Sequence, residues 1–478
     1  MADLVYQPPG IYIDETPQPV PNLPSVVALP PARIAIVGPS RGYQEHTETI
    51  QLGATGVALS RRGIDDASIV IKALDGTLFS EATDYTVTQV GTPASEEVTT
   101  VTRESGGAIA LDSVVYVSYR FTDSAYYEAF QSSDWDVIQS RFGPAIDPTT
   151  GAVGSALSLA ARIAMEQGAT DLVLVPAAGA TPSSVTAAQL KTALDKLLAR
   201  DDVGVVVSLP VGITGTDVSP GDTTTAATDL EAHVTAATNS GLYRTGVIGL
   251  DVGADRNHST VAQTVDSNRV MLAYPNALNW YNGLTNTTME IGGCYLAAAY
   301  AGMMASLAVQ VPLTRKQVRG FSAIPARLRG LMTMPFKNEL SAAGVTVAEQ
   351  TADGRLVVRH SVTTDPSSVI NREASIIRAK DAKLRLIYLT VDRSGIIGTA
   401  ADEETPVRLQ SLIEGALNQC EQAGIIVSWS NLAVRRSTTD LTRMEVKYAY
   451  EPAYPLNSIT VSFSISTTTG ELAEAAIV

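Results

Sequence analysis

The sequence predicts a multidomain chain of α/β plus α+β class, and three patterns carry that expectation. From about residue 153 to residue 274, helix-periodic stretches alternate with short apolar β-prone runs, the signature of a doubly wound α/β layer. Ahead of this, residues 57–126 switch to short β runs divided by Gly, Asp, Ser and Thr, which reads as a small inserted β domain. The last part, from about 344 onward, mixes alternating strands with one amphipathic helix and reads as an α+β module. A length of 478 residues accommodates about three such domains, and 45% apolar residues are ample for their cores.

The chain opens with short β-prone pieces, Val5 and Tyr6, then Ile11, Tyr12 and Ile13, on either side of Pro8, Pro9 and Gly10. Pro17, Pro19, Pro21, Pro24, Pro30 and Pro31 follow. Proline-dense sequence favours extended conformations of roughly 3 Å per residue, so this tether could span on the order of 50 Å. Residues 1–32 are therefore assigned as an arm and linker that places a short strand at a distance. Residues 33–38 read as a buried strand ending in a turn. Within 57–126, strands are expected at 67–72, 84–89, 98–103 and 114–121.

Residues 33–56 and 127–330 are assigned to the α/β middle domain. Helices are expected near 154–168, 187–200, 223–239 and 260–267, leading to strands at 171–176, 203–209, 245–251 and 269–274. Runs such as 172–175 and 203–207 lack alternation, as strands covered on both faces do. The uncharged stretch 291–314 is long enough for a membrane span. Its Ala and Gly content, with Ser306 and Gln310, points instead to a buried helix.

Residues 331–470 form the C-terminal module and 471–478 a C-terminal arm. Thr405 reads as a helix cap with Pro406 at the first helical position. Val407, Leu412, Ile413, Ala416, Leu417 and Cys420 recur at three- and four-residue steps until Gly424. Met444, Val446, Tyr448 and Tyr450 share one strand face; Ile459, Val461, Phe463 and Ile465 share another. These strands leave an unfinished sheet edge, and the tail carries Leu472, Ala476 and Ile477 beyond a Ser/Thr/Gly stretch at 466–470.

Charge is unevenly distributed. The net charge is -15, but from Arg315 onward 19 Lys and Arg face 17 Asp and Glu, leaving 15 against 32 in front. An acidic front repels nucleic acid, and basic positions are not interleaved with stacking aromatics. Cys294 and Cys420 have no metal or disulfide spacing and read as buried free thiols. The first residues lack a basic-then-apolar signal pattern, which places the protein in a reducing cytoplasm. The 38–42 turn lacks both a Walker lysine and GxGxxG. Asp251, Asp255 and His258 after a strand end could bind a divalent metal or run acid–base chemistry, or simply serve a βα turn. This loop carries the alternative reading, a cytoplasmic α/β enzyme. Neither a cofactor site nor direct membrane insertion is indicated elsewhere.

Taken in order, these segments resemble the contractile tail sheath family of bacteriophages and related injection machines. The start Pro8, Pro9, Gly10, Ile11, Tyr12, Ile13, Asp14, Glu15 is similar to the family's PGVYIEE-like opening, and 34–39 to the strand and Gly-Pro turn after it. The inserted β domain, the alternating part, the helix through 293–305 and the module in which 371–378 leads into a long helix keep the family's order. Residues 357–364 depart from the family's Arg-Thr-rich strand ending. The resemblance implies stacked hexameric rings around a tail tube, with baseplate and tail terminator proteins as further partners and a place in the virion after assembly in host cytoplasm. It also implies that arms of neighbouring subunits complete the C-terminal sheet. Arm strands would come from Val5, Tyr6, Ile11, Tyr12, Ile13, Leu472, Ala476 and Ile477, received at Met444, Val446, Tyr448, Ile459, Val461, Phe463 and Ile465. Arg378, Lys380, Lys383 and Arg385, or the helix at 407–423 with Arg408 and Glu414, are expected to face the tube; the basic run could equally be a solvated strand face plus a turn.

Overall fold

The computed structural model of the protein describes residues 33–91, 97–122, 124–178, 185–212, 222–252, 258–399 and 402–461. Strand β1 (Arg33–Pro39) is buried from its second residue onward. Its β-branched run fits a position with neighbours on both edges and cover on both faces. Six strands then build a β lobe: β2 (Gln44–Leu52), β3 (Val57–Ala58), β4 (Ile64–Ala73), β5 (Tyr85–Val90), β6 (Val98–Arg103) and β7 (Ser113–Phe121). They form two three-stranded sheets, ordered β2-β7-β4 and β3-β6-β5. Alternate residues such as Leu52, Ile71, Val115, Val117 and Tyr119 make the lobe's own core. β2 pairs along its length with β7, so residues 44–52, which the sequence reading leaves with the α/β layer, belong to the lobe's sheet. The polar, alternating QEHTETIQL gives a one-sided strand, unlike the two-sided β1.

The chain returns through β8 (Phe130–Ser132) and α1 (Trp135–Phe142), whose Asp134 cap accepts from the amides of Asp136 and Val137. Helix and strand then alternate through α2 (Ala156–Glu166), β9 (Leu172–Ala177), α3 (Ala187–Asp195), β10 (Val203–Ser208), α4 (Asp222–Asn239), β11 (Thr245–Gly249), α5 (His258–Val265) and β12 (Val270–Tyr274). Each falls where periodicity predicts it. A hairpin of β13 (Ala277–Asn282) and β14 (Thr287–Gly292) leads into α6 (Gly293–Ser306), and β15 (Phe321–Ala323) pairs with β13. After α7 (Ala326–Arg329) and α8 (Met334–Ala342) come β16 (Val345–Gln350) and β17 (Leu356–Val358).

The large sheet runs β17-β16-β12-β11-β10-β1-β9-β8. β16, β12, β11, β10, β1 and β9 are parallel, while β17 and β8 close the two edges antiparallel. On one face Ile34, Ile36, Leu174 and Val207 pack with α2 and α6; on the other Ala35, Val37, Val173 and Val206 pack with α3, α4 and α5. Helix α6 is buried all round from Gly293 to Met304, as its uncharged composition requires. It approaches β11 so closely that a Cβ on Gly249 would lie 2.0 Å from the carbonyl oxygen of Gly293. Among the described residues, no helix is long and apolar enough to cross a membrane.

The C-terminal module begins with α9 (Val369–Arg372) and α10 (Ala374–Arg393). It continues with α11 (Thr405–Gln422), β18 (Ile426–Arg436) and β19 (Met444–Pro452). Between β17 and α9 the chain departs from strand geometry but stays tied to β16. The Thr346 hydroxyl donates to the Val362 carbonyl at 2.8 Å and accepts from the Val362 amide at 3.0 Å.

Candidate assembly interface

β18 and β19 pair antiparallel, from Ile426 opposite Pro452 to Arg436 opposite Met444, with an irregularity between Ser430 and Ala433. Asn431 sits there at φ 57°, a left-handed position that Asn tolerates better than most residues. No third strand joins this pair among the described residues. Each strand therefore keeps one outer edge whose backbone groups have no ladder partner. Met444, Val446, Tyr448 and Tyr450 are half-buried and share one face, while Lys447, Ala449 and Glu451 are exposed on the other.

Of the strand expected over 459–465, only the first residues are described, and they join no sheet. Ile459 and Val461 lie outside any strand and are 76% and 80% exposed. Phe463 and Ile465 fall outside the described residues, as do the arm positions Val5, Tyr6, Ile11, Tyr12, Ile13, Leu472, Ala476 and Ile477. Alternation marks a segment able to form a strand, but a strand forms only where the chain brings it alongside an edge, and β18 is the strand that pairs with β19. β18 itself escapes sequence reading because its polar and apolar residues do not alternate cleanly; its one clear signal is the turn at Gly424 (φ 66°).

Two helices support the pair. α11 presents Leu409, Leu412, Ile413, Ala416, Leu417 and Cys420 to the interior at helical spacing. Thr405 is its first helical residue rather than its cap. Asp402 Oδ1 accepts from the Thr405 amide and hydroxyl, both at 2.7 Å, and these bonds hold the Asp402 carboxyl below its usual range. The Trp429 indole N–H donates to Asn418 Oδ1 at 3.0 Å, pinning β18 to α11.

α10 corrects the expectation for the basic run. Arg378 and Lys383 are 6% and 2% exposed, so neither presents a charge at the surface. The Arg378 guanidinium donates to the carbonyls of Met304 (2.6 Å) and Leu307 (3.3 Å), capping the C-terminus of α6. Burial lowers its pKa to about 10. The Lys383 ammonium lies 3.0 Å from the ring centroid of Tyr450 and 4.9 Å from that of Tyr448; burial lowers its pKa to about 8. A run of cations on a helix is divided among its faces every 3.6 residues, and these two point inward. Lys380 and Arg385 are half-buried, and Arg385 donates to the Asp201 carbonyl. Arg408 and Glu414 lie on the exposed face of α11, with Arg408 paired to Asp402 at 2.5 Å.

The described residues of the strand-end loop serve packing and loop-fastening. Asp251 Oδ2 accepts from the Gly212 amide at 2.9 Å, fastening the loop after β10. His258 is buried edge-on against Tyr274, 4.7 Å between ring centroids, and Asp255 lies outside the described residues. Among the described residues, no group of three His, Cys, Asp or Glu could hold a metal ion. Cys294 and Cys420 are buried free thiols. Burial raises both, Cys420 to about 11.

The open two-stranded sheet thus rests on a fixed helical base. The chain is 32% identical over 440 residues to the tail sheath protein of Mycobacterium phage Bxz1, covering 89% of this chain and 72% of that relative. The chain belongs to the tail sheath protein family. No protein-family model matches it. Its fold is also that of a subunit of the anti-feeding prophage helical sheath in the contracted state. That likeness has 16% identity and a TM-score of 0.57, and it covers 97% of this chain and 100% of that one. A chain of the six-fold symmetrised anti-feeding prophage baseplate is similar over 72% of this chain and 89% of its own length, with 16% identity and a TM-score of 0.53. The alternative enzyme reading of the strand-end loop finds no support in these relatives.

Proposed function

We propose that this chain is the structural subunit of a contractile tail sheath, polymerising as stacked hexameric rings around a tail tube and contracting to drive the tube through a cell envelope. One observation carries the reading at the level of mechanism: among the described residues, β18 and β19 form a pair with both outer edges open. Strands supplied by the arms of neighbouring subunits, at 1–15 and 471–478, would satisfy those edges by main-chain hydrogen bonds. The proline-rich tether at 16–31 lets a joined neighbour move without unpairing. Contraction then releases the energy of a metastable packing and needs neither nucleotide nor cofactor. The role is structural rather than enzymatic. The tail tube, baseplate and terminator are its partners, and the virion tail is its place after assembly in the host cytoplasm.

The face towards the tube is assigned to the exposed side of α11 with Arg408 and Glu414, together with Lys380, because Arg378 and Lys383 are committed to the interior. Electron microscopy of the purified protein tests the main reading. Tubular polymers are expected; discrete small oligomers would overturn it. Deleting residues 1–15 should leave a folded monomer that no longer polymerises, and normal polymers from it would sink the strand-exchange mechanism.

A further inference from the structure

Glu373 opens α10 yet does not cap it: its side chain makes no hydrogen bond to the helix N-terminus. The residue is 0% exposed. Its Oε1 accepts from the Asn457 side-chain Nδ2 at 3.0 Å and from His360 Nε2 at 2.9 Å, and Arg372 Nη2 lies 3.6 Å away. Oε2 has no hydrogen-bond partner among the described residues. A carboxylate held from water at this depth depends strongly on the few donors it has.

Those donors come from separate parts of the chain. His360 lies after β17, Arg372 ends α9, and Asn457 lies five residues beyond the end of β19. The node is wired into the large sheet. The Thr363 amide donates to the Arg372 carbonyl at 2.8 Å, and the Thr364 amide donates to Val270 at the start of β12 at 2.9 Å. Asn457 itself is exposed, in a stretch from Ala453 to Val461 with no regular secondary structure. Up to Asn457 the tail follows the module; Ser458, Ile459, Thr460 and Val461 are all exposed, alternating polar and apolar.

We infer that Asn457 and Glu373 form a latch that fixes where the C-terminal segment leaves its own subunit, so that the alternating stretch after it is presented to a second copy of this chain. The inference rests on the sheath reading above and names the residues that position its C-terminal arm. Fixing the departure point shortens the free part of the tether, and a shorter tether raises the effective concentration of the arm at a neighbour's open edge. Asn457 is thus a positioning residue, and the contact with the neighbour is made by the residues beyond it.

The test swaps the pair. Asn457→Asp sets one carboxylate against another and should free the tail. Chymotrypsin cleavage at Tyr454 and Leu456, followed by mass spectrometry on the monomer, should accelerate about tenfold, the scale of one hydrogen bond to a charged group. Polymerisation, followed by light scattering and electron microscopy, should slow while far-ultraviolet circular dichroism shows the monomer still folded. Adding Glu373→Gln restores a donor–acceptor pair and should recover both cleavage resistance and polymerisation. Should the double variant prove unstable, Asn457→Ala provides the same loss of contact without the repulsion. Parental cleavage and assembly rates in Asn457→Asp and Asn457→Ala would overturn the latch. Truncation after Asn457 separates the two levels: if the truncated protein polymerises normally, the strand-exchange reading fails; if it does not polymerise while both Asn457 variants behave as the parent, only the latch fails.

Discussion

Arg269 and Asp381 meet in an ion pair whose side chains are 10% and 11% exposed, and it joins the foot of β12 to the middle of α10. Burial pushes the Asp381 carboxyl upward, while the Arg269 charge and hydrogen bond pull the other way. Two desolvated charges contribute little net stability, but either left alone is costly. Asp381→Ala should therefore destabilise the monomer by about 3–5 kcal/mol in urea unfolding. The double variant Arg269→Met, Asp381→Leu should lose far less. Equal losses in the single and double variants would show that the pair is not what binds α10 to the sheet.

Arg378 makes a related tie, from α10 to the C-terminus of α6. Arg378→Met keeps the apolar stem but strands helix-end carbonyls. A loss of about 3 kcal/mol is expected. Arg378→Lys should recover only part, because a single ammonium cannot reproduce the guanidinium fork. Chemical denaturation with far-ultraviolet circular dichroism measures both.

His233 sets an acid-side dependence. Burial, and then the neighbouring Arg244 whose Nη1 lies 3.1 Å from His233 Nε2, lower its pKa to about 4 from 6.5. Above pH 6.5 the ring is neutral in folded and unfolded chains alike, and its contribution is fully present. As pH falls below 6.5 the unfolded chain binds a proton that the folded chain refuses. Stability is lost down to about pH 4, by about 3 kcal/mol in all. Urea midpoints between pH 7 and pH 4 should show this loss, and His233→Gln should flatten it.

Gly249 tests the contact between sheet and buried helix. An added methyl would meet backbone atoms of Gly293 and Cys294 that cannot swing aside. Gly249→Ala should cost about 3 kcal/mol or abolish soluble expression. Gly106→Ala, where nothing lies within 4 Å of the added carbon, should leave the melting temperature nearly unchanged. Parental stability in Gly249→Ala would mean that β11 and α6 do not pack so closely.

Local pattern made much of this legible. Apolar β-branched runs such as 34–37 and 203–207 specify strands covered on both faces, and period-3.6 stretches specify the helices between them. α6 reads as a buried helix because a segment without charge cannot rest on a surface. The border of the β lobe was less legible, since β2 declares itself only by pairing with β7. The same holds at the candidate interface: Met444, Val446, Tyr448 and Tyr450 share a face as alternation requires, but their partner strand β18 declares itself only by pairing with them.

The sequence by itself determined the alternation of helices and strands across 153–274 and the likeness to the sheath family, because periodicity and turn chemistry act over a few residues. Only the tertiary structure decided which charges are spent inside. Arg378 caps a helix some seventy residues away, Lys383 lies against tyrosines of β19, and Glu373 holds Asn457 across 84 positions. A basic or acidic letter carries no mark of its burial. That is set by which distant backbone carbonyls, rings and amides the fold brings within hydrogen-bond reach.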